Sequence, residues 1–209
     1  MPGPELLLPF LAATLVFAVM PGPAILYTAA QTMARGRRGG TLAALGIHVG
    51  GFLHVAAAAA GLSAIFQHVP AAYTAVKLAG ALYLIWLGIG IIRRRLDPDA
   101  LPRVDGKGTR RAFLESITVE VLNPKAALFY IAFLPQFVDP AAALPIWAQL
   151  LVLGWIVNVA FSAADVATIL LTSALLTRLR RSGTAQRALR WAGGSILAGL
   201  GLHLATSDR

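Results

Sequence analysis

Long apolar runs, separated by short basic or polar stretches, set the pattern of this chain. Leu6 to Ala34 and Gly39 to Val76 hold no Asp, Glu, Lys or Arg, and about 18 such residues suffice for a membrane-spanning helix. The pattern predicts six spans, at about 6–31, 41–66, 72–92, 112–136, 146–176 and 189–206. The fifth exceeds the roughly 20 residues a bilayer needs, which predicts a tilt or a kink. The expected fold is all-α and membrane-integral, a single transmembrane domain over residues 1–209.

Two of these spans are interrupted in their interior, by Pro21-Gly22-Pro23 and by Asn123-Pro124-Lys125. A proline inside a helix removes a donor and clashes with the preceding turn, at a cost of about 3 kcal/mol or more. In lipid no water satisfies the freed groups, so such breaks persist only beside protein or a wet cavity. Gly22 before Pro23, and Asn123 before Pro124, each read as a cap followed by proline at the first helical position. Pro23 and Asn123 each lie about 12 residues, or roughly 18 Å, from the nearest basic loop, which is close to mid-membrane. Two half-helix N-termini would then direct free N–H groups and positive dipole ends at the centre, where a carboxylate is the natural guest. Lys125 adds a formal cation at that depth. A lone intramembrane proline often serves only to kink a helix for packing; two around a glycine, matched by Asn-Pro-Lys in the other half, fit that reading less well.

The basic residues fix an orientation. Arg35, Arg37 and Arg38 follow span one, seven lie from Arg93 to Arg111, and five lie from Arg178 to Arg190, so fifteen of the eighteen share one side. The connections around 67–71 and 137–145 carry only Asp139 as a charge. The positive-inside rule puts the basic loops in the cytoplasm and both termini outside. Three spans per half reverse the second half, giving two inverted repeats with broken helices 1 and 4: repeat one about 1–95, a cytoplasmic hinge loop about 96–111, and repeat two about 112–209.

Composition sharpens this picture. Hydrophobic residues make up 57% of the chain and charged ones 13%, with a mean hydropathy of +0.72, against roughly 25% charged in soluble domains. A net charge of +9 would suggest nucleic acid in a soluble protein; here its placement in cytoplasmic loops accounts for it, and no nucleic-acid partner is expected. No cysteine is present, which excludes disulfides and thiolate chemistry. The N-terminus does not read as a signal peptide, because Glu5 is its only charge and the apolar run is too long.

Other ionisable residues are candidates of differing weight. Asp165 interrupts span five about 12 residues from Arg178, near mid-depth, and reads as a proton carrier or cation partner, or else as a structural ion-pair partner of Lys125. Glu120 lies one turn before the second break, suited to function or to snorkelling. Lys77 and Glu115, near span ends, read as snorkelling. His48 and His54, six apart, fall on different helix faces and read as polar residues at helix contacts, not as a metal pair. Gly46 with Gly50, and Gly80 with Gly88, form small-residue stripes for close helix packing. Stripes on spans two and six admit a homodimer as well as internal packing. Ser195 and His203, two turns apart, are about 12 Å from each other in a helix, too far for nucleophile and base. No catalytic residue, metal site or cofactor is expected.

The stretches PGPAILYTAAQTMARGRRGG (21–40), VKLAGALYLIWLGIGIIR (76–93) and LNPKAALFYIAFLPQFVDP (122–140), with the spaced Gly46, Gly50 and Gly61-Leu62, resemble the LysE/RhtB-type amino-acid exporter family. The resemblance covers most of the first four spans; the last two match mainly in hydropathy. It implies a bacterial inner-membrane secondary transporter, an antiporter that exports amino acids or close derivatives against protons. It places Pro21, Gly22, Pro23, Asn123, Pro124 and Lys125 at the family's conserved breaks. This chain departs from the family before Asn123, with Ser116 and Glu120 where Gly and Asn are common. The expected mechanism is alternating access around one central site, with the half-helix ends and Lys125 on the substrate carboxylate and Asp165 or Glu120 on its ammonium or on the coupling proton. The alternative is an inorganic ion or metal transporter, or a channel, of similar architecture.

Overall fold

The computed structural model describes residues 4–62, 64, 70–93 and 109–172, with scattered helical positions between 184 and 206. The hinge loop up to residue 108, most of the sixth span with His203, and the side chains of Lys77, Gly80 and Gly88 lie outside the described residues; Ser195 is helical and exposed. The described residues are mainly helical, with non-helical stretches at 20–22, 122–123 and 138–145, and none of them forms a strand. Its helices are α1 (Pro4–Val19), α2 (Pro23–Ala57), α3 (Pro70–Arg93), α4 (Thr109–Val121), α5 (Pro124–Ala132) and α6 (Ile146–Leu171). A π-helical turn, Ala58–Leu62, extends α2, and a 3-10 turn, Leu134–Phe137, follows α5.

Both breaks form where the sequence places them, and by the expected chemistry. Pro23 and Pro124 open α2 and α5 at positions where their missing N–H costs nothing. The pair from Arg110 to Val121 and from Pro124 to Phe137 is bent by 45° at the break and is together long and apolar enough for a broken span or a re-entrant loop. Pro23–Leu62 and Ile146–Leu171 are each long and apolar enough to cross a bilayer. Outward-facing Leu11, Leu15, Val152, Trp155, Val159 and Val166 present apolar surface of the kind lipid covers and water does not. This is an all-α membrane protein with broken helices.

One expectation is corrected. The basic stretch after span one is not an open loop: helical residues run through it, and the chain turns at the single residue Gly36 (φ 68°, ψ −172°). Only glycine enters that region freely. A Cβ on Gly40 would fall 2.0 Å from Thr32 Oγ1, whereas eight residues of straight helix would separate the two by about 12 Å. The chain therefore doubles back there, with Arg37 and Arg38 exposed at the corner.

Packing then brings the two breaks side by side. Phe129, Phe133 and Phe137 recur every four residues along one face that continues from α5 into the 3-10 turn, and they meet Phe10 and Phe17 of α1. The rings of Phe17 and Phe129 stack at 4.0 Å, and Phe10 lies 5.2 Å from Phe137. Lys125 lies one turn before Phe129 on the same face. On the other side, α2 after its turn packs closely on α4. A Cβ on Gly46 would meet Ser116 Oγ at 2.0 Å and Phe113 O at 2.5 Å, and one on Gly50 would meet Glu120 Cβ at 2.8 Å. The Gly46/Gly50 stripe is thus an internal contact that sets Glu120 against α2.

Candidate functional site

Asn123 builds the second break. Its extended backbone (φ −74°, ψ 104°) lets Oδ1 accept from Lys125 N at 3.1 Å, while Nδ2 donates to Glu120 Oε2 at 3.0 Å. One side chain therefore caps α5 and satisfies a buried carboxylate on α4, both ends being occupied as burial demands. Glu120 is 2% exposed. Its carbonyl accepts from Asn123 N at 3.0 Å and contacts His54 Nε2 at 2.8 Å.

The first break is built differently. Gly22 offers no side-chain cap, so the amides of Ala24 and Ile25 at the start of α2 lack the partner that Asn123 gives Lys125. The cap expected at Asn123 is present, whereas the Gly22 cap brings no side chain, so the more open helix end is the first. What fills the gap beside Gly22 is Lys125 from the other half. Its Nζ donates to the carbonyls of Phe17 at 2.9 Å and Met20 at 2.6 Å, and lies 4.5 Å from the centre of the Phe17 ring. Gly22 is required for this approach, since a Cβ there would sit 2.6 Å from Lys125 Cδ.

Asp165 is buried on α6, 2% exposed, and its Oδ1 accepts from Thr28 Oγ1 at 3.3 Å. The reading of Asp165 as the ion-pair partner of Lys125 is not what the geometry shows, because that ammonium turns to the α1 carbonyls. Thr28 lies one turn beyond Ala24 on α2, so the open helix end and the Asp165 partner share a face.

Gly22, Asn123, Lys125, Glu120 and Asp165 all line one cavity, walled by the apolar Ala18, Ile25, Ile47 and Phe161. Pro21, Pro23 and Pro124 shape the breaks around it. The cavity volume is about 20 Å³, room for about one water; an amino acid enters only if helices move. His48 and His54 are elsewhere engaged, His48 Nδ1 with Ser162 Oγ and His54 stacked on Tyr130 at 5.6 Å between ring centres. Glu115 pairs with Arg111 at 2.8 Å. Sequence reasoning did not find Thr28, Ile25, Ile47 or Phe161. The spacing of Thr28 from the first break was the one available signal.

The site holds both signs of charge at mid-span. An isolated carboxylate or ammonium at that depth is expensive and marks a pathway or relay. Two carboxylates and one ammonium around an uncapped helix N-terminus can receive a zwitterion.

Residues 15–208 match the family described as LysE type translocator. An uncharacterised membrane protein of Vibrio cholerae is 30% identical over 200 residues, 96% of each chain. Another, of Pseudomonas aeruginosa, is 31% identical over 204 residues, covering 92% of this chain and 91% of its own. A leucine efflux protein of Salmonella typhimurium is 32% identical over 138 residues, covering 64% of this chain and 63% of its own. No solved structure matches.

Proposed function

This chain belongs to the LysE type translocator family, and on that premise we propose that it exports amino acids or close derivatives from the bacterial cytoplasm. The observation that carries the reading is the cavity between the two breaks, lined by Lys125, Glu120 and Asp165. The substrate carboxylate goes to the uncapped amides of Ala24 and Ile25 at the start of α2, beside Lys125. Its ammonium goes to Asp165, released by Thr28, with Glu120 or Asp165 carrying the coupling proton. The apolar walls from Ala18, Ile25, Ile47 and Phe161 suit an aliphatic side chain, in keeping with the leucine efflux proteins among the relatives. Two inverted three-helix halves exchange access by rocking about this site in the inner membrane, with the basic loops in the cytoplasm. The chain is a transporter, not an enzyme.

The test is counterflow of labelled amino acids in proteoliposomes, with leucine first. Uptake driven by internal unlabelled substrate, abolished in Lys125→Ala and Asp165→Asn, supports the reading. If no amino acid moves, or if Lys125→Ala matches wild type with every substrate found, the reading is wrong. Electrogenic ion flux that amino acids do not compete would favour inorganic ion transport instead.

A further inference from the structure

We infer that the Lys125 ammonium exchanges partners. With the site empty it holds the carbonyl end of α1, and with the site filled it holds the substrate carboxylate, so that substrate binding releases the first break. The inference rests on the proposed export function for the identity of the second partner, but not for the latch itself.

The last carbonyls of a helix have no intrahelical donors, and a cation there is favoured by the dipole. Lys125 adds donors from another helix, to Phe17 O at 2.9 Å, which also accepts from Met20 N at 3.3 Å, and to Met20 O at 2.6 Å, residues 108 and 105 positions away. The fit is built on both sides. Gly22 clears the lysine stem, which a Cβ would crowd at 2.6 Å, and the Phe17 ring lies under the ammonium at 4.5 Å. Lysine suits a moving contact better than arginine, being a compact charge on a flexible stem with three rotatable donors. Two of those donors are on carbonyls, and the same side chain lines the cavity where a carboxylate would arrive. A carboxylate is the stronger acceptor, because both partners are then charged.

The arrangement has no counterpart in the first half. The residue after Pro23, where Lys125 follows Pro124, is Ala24. The latch therefore runs one way, from the second break onto the first. Releasing it frees the end of α1 from α5 below the aromatic stack, which is the movement a cavity of about 20 Å³ requires before it can hold an amino acid.

The experiment is amide hydrogen exchange across residues 14–22 of the purified full chain in lipid nanodiscs. Lys125→Met removes the latch. Gly22→Ala keeps the lysine but displaces its stem, and its backbone (φ −148°, ψ 179°) is one alanine adopts without strain. Both should exchange at least about tenfold faster than wild type, since two charge-assisted hydrogen bonds are lost. Saturating leucine should bring wild type to the same fast rate, and leucinol, which lacks the carboxylate, should not. Wild-type exchange rates in both variants overturn the latch. Fast variants with a wild type that leucine slows, while leucine is transported, overturn the exchange of partners and leave the site standing. Absence of counterflow with every amino acid tried overturns the export reading and the carboxylate as second partner, while the two variants report on the latch without ligand.

Discussion

Replacing Asn123 by alanine removes two bonds that no other residue supplies. The cap on Lys125 N is worth about 1 kcal/mol, within the usual range of 0.5–2. The donation to Glu120 Oε2 is worth more in its absence than in its presence. Glu120 is 2% exposed, and a buried acceptor stripped of its partner costs about 1–3 kcal/mol. Together the loss is about 2–4 kcal/mol, which for a chain of this size lowers the melting temperature by roughly 5–15 °C. Thermal unfolding of the detergent-solubilised protein, followed by tryptophan fluorescence, measures it. In a Glu120→Ala background only the cap remains, so the same Asn123→Ala change should cost about 1 kcal/mol. Asn123→Asp keeps an acceptor for Lys125 N but sets a second carboxylate against Glu120, and should be no better than alanine. If the Asn123 and Glu120 changes prove additive, the hydrogen bond between them contributes nothing and the account of the second break fails.

Two further predictions rest on other contacts. A Cβ on Gly51 would meet Asn158 Oδ1 at 2.1 Å, so Gly51→Ala should destabilise by about 1–3 kcal/mol; adding Asn158→Ala, which alone loses the bond to His48 O, should cost less than the two changes summed when unfolding midpoints are compared. Because the chain has no cysteine, single cysteines report its orientation: an impermeant maleimide should label Ala141→Cys on intact cells and Asp105→Cys only after permeabilisation. The reverse pattern would invert the topology.

What the sequence made legible was local chemistry. Gly-Pro and Asn-Pro state a cap and a first helical residue within two positions, so the breaks and the bend between α4 and α5 could be read directly. Charge distribution predicts a side of the membrane for each stretch, but not its backbone. Arginine is a good helix former, so the run after span one stays helical on both sides of Gly36 although its charges looked like a loop. The long-range contacts of the site were not legible because they join residues 105 to 137 positions apart. Nothing local tells a flexible lysine to reach past its own helix to the carbonyls of Phe17 and Met20, or pairs Thr28 with Asp165. The glycine stripe announced a close helix contact without naming its partner, and only the fold shows that Ser116 and Glu120 occupy it.

The reach of Lys125 back to Met20 also orders events during synthesis. The carbonyl end of α1 waits for a donor encoded 105 residues later, a delay of about 5–20 s at ordinary elongation rates. Through that interval α1, an apolar helix too short to cross a bilayer alone, has neither its aromatic partners on α5 nor its cap. A nascent chain released before residue 125 should therefore be a substrate for membrane quality control, and the two halves expressed as separate fragments should each be short-lived unless they meet.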